Sequence, residues 1–416
     1  MRFFFPDSQD QVDPHFDFLQ ETHPVHRVRQ RDDRYCHEVL GRAPYDGVLV
    51  SKSIVDGRAL GAARYTMAQK QRFYRDGVRH FFRLGKPGLE RVVTMGDCGA
   101  FTYHREAYPP FTVDEVIDFY CTGFDFGVSI DHVILGFDAS LDTWGTTGNH
   151  VPDDWAARQS ITLELAVAFL ARCQQRSVQF TPVGVAQGWS PLSYQSAVRQ
   201  LCAMGYTQIG LGGMVPLKTP EILASLKAVN EVLPGGVGLH LFGIARTDSV
   251  PRFAKLGVTS FDSTSPFLQA FKDATDNYYT TEGAYVAIRV PQVGENLSMK
   301  RRILAGEIRQ ERAMELEEAC LSILRAYDRG EASLDAALDL LETYEDLCTG
   351  QRKLRAAYAR TLGDRPWKAC GCAVCRQSSV EVVIYRGSER NKRRGFHNVY
   401  VFEQRLRGGS PMGAAA

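Results

Sequence analysis

Short β-branched runs alternate with longer amphipathic stretches from about residue 47 onward, and that alternation limits the folds open to this chain. "GVLVSKSIV" precedes a helical pattern from Ala59 to about Leu84, and "RVVTMGDCGAF" precedes "TVDEVIDFYCTGF". "GVSIDHVIL" leads to "DDWAARQSITLELAVAFLARCQQR", a long helix that Asp153 or Asp154 is expected to cap. The rhythm continues through "VQFTPVGVAQG", "TQIGLGGMV", "GVGLHLFGIA" and "VTSFDSTSP", each followed by a helical stretch. Seven strand candidates in regular order predict an α/β chain built as a (β/α)₈ TIM barrel. No strand opens a helix through a G-x-G-x-x-G turn, which argues against an open dinucleotide-binding sheet.

The expected division is an N-terminal extension at 1–46, a barrel core at 47–297, and an appendage at 298–416 packed on the barrel, helical at first and ending in a subdomain that carries a cysteine cluster. With 44% hydrophobic and 23% charged residues among 416, the chain reads as neither disordered nor membrane-bound. No run of about 18 apolar residues is present, and the opening "MRFFFPDSQDQVDPHFDF" lacks a signal-peptide core and cleavage site, so a cytoplasmic protein is expected. A formal net charge of +1 requires any nucleic-acid contact to come from a local basic patch. The densest run is "YRGSERNKRRGFHN", with Arg386, Arg390, Lys392, Arg393 and Arg394, and "HRVRQRDDR" is a second. Both are candidates for phosphate contact.

In such a barrel, reacting groups sit where strands end and βα loops begin. Those positions hold Asp97, Asp131, Gln187, Gly212, Gly213, the stretch from His240 to Gly243, and Asp262. A pair of carboxylates such as Asp97 and Asp262 can serve as nucleophile and proton-transfer group in glycosidic exchange. The glycines of "GLGG" allow close approach to a flat ligand, which Phe101 and Phe242 could sandwich. Asp131 and Gln187 would hydrogen-bond its edge.

Cys370, Cys372 and Cys375 in "ACGCAVC" form a C-x-C-x₂-C cluster, with His397 the histidine downstream and 21 residues between it and Cys375. Three thiolates and an imidazole make a closed tetrahedral set, the pattern of structural Zn²⁺. A redox site would instead want an isolated C-x-x-C beside a thioredoxin-like unit. The other seven cysteines are scattered singly and read as small buried hydrophobes.

Taken in order, "GDCGAF", "SID", "GVAQG", "GLGGMV", "HLFG" and "FDS" resemble the tRNA-guanine transglycosylase superfamily of zinc-containing (β/α)₈ barrels. The resemblance runs from about residue 47 to His397. It implies that Asp262 is a nucleophile attacking C1′ of the target nucleoside, giving a covalent aspartyl-nucleoside intermediate in a double displacement. It further implies that Asp97 transfers protons, that Asp131, Gln187 and Gly213 read the purine edge, and that Phe101 and Phe242 cover its faces. The pattern departs at Cys98 and Ala100, where Ser and Gly are usual in the tRNA enzymes.

The nucleophile is followed by "STSPFLQAF" rather than the "PTR"-like segment of bacterial tRNA enzymes, and the chain stops soon after its cysteine cluster. With the opening "FFFPDSQDQVDPHFDF", this is most similar to the bacterial DNA-guanine transglycosylase branch of 7-deazaguanine DNA-modification clusters. That branch implies a glycosyltransferase replacing guanine in DNA by preQ0 (7-cyano-7-deazaguanine), with a partner ATPase from the same cluster. A homodimer stays open. The alternatives are a tRNA-guanine transglycosylase of the queuosine or archaeosine type, and a non-catalytic zinc-containing nucleic-acid-binding subunit. A zinc hydrolase would want a histidine cluster at the barrel mouth, which the sequence does not supply.

Overall fold

The computed structural model describes residues 1–57, 65–142, 150–244, 246–348 and 354–408. The chain forms two compact units, one of Met1–Gln9 and Tyr45–Thr264, the other of Asp10–Pro44 and the chain from Ser265 onward. The stretch expected as an extension is therefore divided. Residues 1–9 and 45–46 belong to the first unit and 10–44 to the second.

The first unit is a closed barrel of eight parallel strands. They are β1 (Arg2–Pro6), β2 (Gly47–Ser51), β3 (Val93–Asp97), β4 (Phe126–Val128), β5 (Thr181–Ala186), β6 (Gln208–Leu211), β7 (Gly238–Leu241) and β8 (Val258–Asp262). Seven were expected, and the eighth is the opening "RFFFP". β1 closes the barrel against β8 with Phe4 opposite Asp262, and β2 pairs with β3 so that Ser51 lies opposite Asp97. Phe4, Leu49, Met95, Val128, Val183 and Val185 pack into one apolar cluster, with Phe242 against it. A filled interior leaves the strand ends as the place where polar groups can meet a ligand.

Two glycines let a helix lie close on the strands. A Cβ at Gly96 would stand 2.2 Å from the Tyr120 ring, and one at Gly127 2.6 Å from it. Tyr120 ends the helix Val113–Tyr120, is fully buried, and donates to the Val128 carbonyl at 2.8 Å. The long helix is Asp153–Gln175, with Pro152 rather than an aspartate at the cap and no side-chain cap bond. Asp153 and Asp154 sit in the first turn, where the dipole favours negative charge without a capping bond. Ser190 does cap Pro191–Met204, accepting from Ser193 N at 3.2 Å. Of the helix expected from Ala59 to about Leu84, residues 58–64 lie outside the described residues. The remainder is Met67–Asp76 and Val78–Phe81, interrupted at Gly77, whose φ of +76° a helix does not allow.

The second unit contains the helices Leu297–Leu304, Gln310–Arg329, Leu334–Cys348 and Arg355–Asp364, in agreement with the helical pattern after residue 298. Gln310–Arg329 buries Ala313, Leu316, Cys320, Leu321, Leu324 and Tyr327, the stripe of a helix with one apolar face. The ribbon of Asp276–Tyr279 and Ala284–Val286 precedes them, and the helix Gly387–Gly408 ends the described chain. A Cβ at Gly395 would come 2.4 Å from the Phe267 ring, so glycine is what lets that last helix approach the short helix Ser265–Gln269. Among the described residues, no helix is long and apolar enough to cross a membrane.

Candidate active site

Asp97, Asp131, Gln187, Gly212, Gly213, Phe101, Phe242, Gly243 and Asp262 all line one cavity of about 330 Å³ at the barrel's strand ends. Every residue expected to act on a base is thus brought to one place. The volume suits a small flat ligand.

Asp262 ends β8. Its Oδ1 accepts from His240 Nε2 at 3.1 Å and from the Gly243 amide at 3.1 Å. Asp97 ends β3, and its Oδ2 accepts from Ser51 Oγ at 2.9 Å and the Gly99 amide at 3.0 Å. Burial raises the Asp97 pKa to about 6; the Ser51 bond works against that shift, and the charge of Asp262 adds to it. Two carboxylates before one cavity, one of them reluctant to ionise, can serve chemically as a nucleophile and a proton shuttle.

That reluctance has a measurable cost. The ordinary value for an aspartate is about 3.9. Between pH 4 and pH 6 the folded chain therefore keeps a proton that the unfolded chain has released, so stability falls as pH rises through this window. Asp97→Asn should make the protein more stable than the parent at pH 8, by up to about 3 kcal/mol. The gap should close below pH 4. Denaturant unfolding at pH 4, 6 and 8 checks this, and a gap that does not vary with pH would contradict it.

Asp131 follows β4 in the cavity floor. Its Oδ2 accepts from Gln187 Nε2 at 2.6 Å, and Cys98 Sγ lies 3.3 Å from its Oδ1. Burial pushes Asp131 to about 7, with the Asp97 charge adding to it. Gln187 Oε1 accepts from the Ile134 amide at 3.1 Å, which orients its amide group. The glycines are required here. A Cβ at Gly212 would meet Gln187 Nε2 at 2.1 Å, and Gly213 has φ of +72°. The departure at Cys98 has a structural role: the thiol is fully buried, bonded to Asp131, and receives the Tyr103 hydroxyl at 3.0 Å. Phe101 is 64% exposed at the cavity rim, stacked on His104. Phe242 packs edge to face on His240 at 4.6 Å.

Several supporting groups were not given roles by sequence reasoning. His240 was noted only as part of a strand-end stretch, and Ser51 and Tyr103 passed unremarked. A polar residue closing an apolar run, as in "GVLVS", was the available signal for Ser51.

In the second unit, Cys370, Cys372, Cys375 and His397 gather with their ligand atoms all within 4.8 Å of one another, and they could hold a metal ion. His397 Nδ1 lies 3.5, 3.5 and 3.3 Å from the three sulfurs in turn. Its Nε2 donates to the Tyr279 carbonyl at 2.7 Å, which leaves the Nδ1 lone pair to face the sulfurs. Tyr278 stacks on the imidazole at 4.0 Å and lies within 3.2 Å of Cys375 Sγ.

The basic run expected to meet phosphate is internal instead. Arg386 is bound by Glu21 at 2.7 Å and Glu317 at 2.6 Å, and Arg390 by Glu381 at 2.6 Å and Glu21 at 2.5 Å. Arg393 pairs with Glu389 at 2.6 Å, and Lys392 Nζ donates to the Gln11 carbonyl at 2.8 Å. Arg394 has no exposed surface and donates to the carbonyls of Val382, Ile384 and Ala270. Buried cations already met by carboxylates and carbonyls hold the second unit together and cannot present charge to a phosphate backbone. In the second run, Arg27 is likewise held by Asp33 at 2.7 Å.

A closed parallel barrel with two strand-end carboxylates over a cavity floored by a carboxyl–amide pair has its ligand site where a barrel enzyme carries it, and the likeness that follows makes it a transglycosylase, an enzyme of the glycosyltransferase kind. No family model matches the chain. A DNA-guanine transglycosylase of Salmonella montevideo is 49% identical over 411 residues, covering 98% of this chain and 96% of that protein. The chain belongs to the DNA-guanine transglycosylase family.

Proposed function

We propose that this protein exchanges guanine in DNA for a 7-deazaguanine base, preQ0, by double displacement. The observation that carries the reading is the convergence of Asp97, Asp262, Asp131 and Gln187 on one small cavity. The near-full-length likeness to a DNA-guanine transglycosylase supports DNA as the polymer.

Asp262 attacks C1′ of the target nucleotide; the C1′–N9 bond breaks and its electron pair goes to N9 of guanine, which takes the proton of Asp97. The incoming base then returns a proton from its own N9 to Asp97 and attacks C1′, and the aspartyl ester opens. An acid held near 6 can give and recover a proton close to neutral pH. Asp131 accepts from the N–H groups of the purine edge, and Gln187 donates to its carbonyl. These bonds replace the Asp131–Gln187 contact, and new donors relieve the penalty of a buried carboxylate. Phe101 and Phe242 cover the faces of the base.

A base in duplex DNA reaches this cavity only when its nucleotide is turned out of the stack, at a cost of roughly a few kcal/mol. A partner ATPase that opens the strand fits that requirement. The metal is zinc in a structural role. A tetrahedral Zn²⁺ with bonds of about 2.3 Å to sulfur and 2.05 Å to nitrogen separates N and S by about 3.6 Å, close to the 3.3–3.5 Å found. Four protein ligands leave no open position for substrate.

Incubation of the protein with labelled preQ0 and either duplex DNA or tRNA, with and without the partner ATPase, tests the reading. Label should enter DNA alone. Label in tRNA alone would overturn the choice of polymer, and label in neither would overturn base exchange.

A further inference from the structure

His240 projects from β7 and is only 2% exposed. An imidazole buried in a largely apolar barrel needs partners on both nitrogens. Nε2 lies 3.1 Å from Asp262 Oδ1 and Nδ1 lies 2.9 Å from Ser260 Oγ. An ionised carboxylate only accepts, so Nε2 carries the proton, and Nδ1 accepts from the Ser260 hydroxyl. Phe4 and Phe242 pack edge to face on the ring, with centroids 5.6 Å and 4.6 Å away. Phe4, Ser260 and Asp262 are all on barrel strands, so the ring is fixed by the most rigid part of the unit.

The Gly243 amide is a second donor to the same oxygen, at 3.1 Å, from a residue whose φ is +73°. Asp262 Oδ2 takes no protein hydrogen bond among the described residues. The two oxygens of the carboxylate therefore have different roles: Oδ1 is held and Oδ2 is presented to the cavity.

We propose that His240 is the positioning residue of the nucleophile and that its N–H sets how readily the covalent intermediate breaks down; this rests on the reading of Asp262 as nucleophile. In the first displacement, Oδ2 bonds to C1′ while the C1′–N9 pair leaves with guanine. Oδ1 then becomes the carbonyl oxygen of an ester and loses its share of negative charge. Hydrogen bonds to a charged acceptor are about twice as strong as those to a neutral one. The donors on Oδ1 therefore favour the carboxylate over the ester. In the second displacement the C1′–Oδ2 pair returns to the carboxylate, and His240 helps it leave. The donor thus opposes ester formation and promotes ester breakdown, so its loss must affect the two steps unequally.

The test follows the enzyme–oligonucleotide adduct in denaturing gels, first as it forms and then as it decays when preQ0 is added. His240→Leu should slow adduct decay by about tenfold or more, the effect of a lost charge-assisted hydrogen bond, and should leave formation unchanged or somewhat faster. His240→Gln, which keeps an N–H donor, should restore decay to within about threefold. Ser260→Ala retains the imidazole but frees Nδ1 to take the proton, so decay should slow by an intermediate factor. Equal slowing of both steps in His240→Leu, or no recovery with Gln, would mean that the ring serves packing alone and would overturn the proposal. A parent enzyme that forms no adduct would instead overturn Asp262 as nucleophile.

Discussion

Asp262→Asn should lower base exchange by at least about 10⁴-fold, the scale on which loss of a covalent nucleophile is felt, while the barrel stays folded. The two halves of this expectation have separate causes. The Oδ1 side of the residue accepts from His240 and Gly243, and an asparagine oxygen can still accept both. Folding therefore keeps its hydrogen bonds, and the variant should unfold at nearly the parent's temperature. In the proposed mechanism the Oδ2 side forms the bond to C1′, and an amide nitrogen has no free pair with which to do so. A barrier increase of about 5.5 kcal/mol corresponds to that rate loss. The measurements are incorporation of labelled preQ0 and the intact mass of protein trapped with an oligonucleotide. The parent should show a covalent adduct and the variant none. Exchange within tenfold of the parent, or an adduct that persists in Asp262→Asn, would move the nucleophile elsewhere. Asp97 is the natural place to look, since it faces the same cavity.

The barrel was legible because a parallel strand buried on both faces must be an apolar run, and each was followed by an amphipathic stretch. β1 escaped because "RFFFP" is short and is followed not by a helix of its own barrel but by Asp10–Pro44, which belongs to the other unit. The residues that line the cavity were readable at strand ends, where side chains such as Asp97 and Asp262 interrupt apolar runs. Ionisation was not, because the raised values of Asp97 and Asp131 depend on burial and on a neighbouring charge, that of Asp262 for Asp97 and that of Asp97 for Asp131. The basic run misled for a related reason. Charge counted along "SERNKRR" does not register Glu21, Glu317 and Glu381, which are distant in sequence and neutralise it in space. His240 belongs to the same class, since its importance lies in Ser260 and Asp262 twenty or so residues on.

Loss of one cysteine of the metal cluster should cost the second unit its cooperative fold. Cys372→Ser is the sharpest test, since Cys372 is 2% exposed and also accepts the Cys375 amide at 3.3 Å. The ligands come from two separated places, the segment 370–375, which runs into the helix Ala373–Ser378, and the helix Gly387–Gly408, and His397 is further tied to Tyr279 of the ribbon. A bound ion joins these three pieces at one point. Structural zinc sites contribute about 10–16 kcal/mol of binding free energy, as much as or more than the roughly 5–15 kcal/mol net stability of a whole domain. Without the metal, three thiols and an imidazole face one another, held by the His397–Tyr279 bond, the Tyr278 ring and the Cys375 amide alone at this point. Cys372→Ser should purify with less than a tenth of the parent's zinc, and the parent treated with a strong chelator should behave the same way. In both, hydrogen exchange should rise first across 276–286, 366–378 and 390–400. Cys121→Ser, at an exposed cysteine of the first unit, is the control and should change neither metal content nor exchange. A metal-free Cys372→Ser protein melting within a degree or two of the parent would show that the cluster does not hold this unit together. The closed ligand set predicts the opposite, and it predicts that the fold is lost before any direct effect on the chemistry at Asp97 and Asp262.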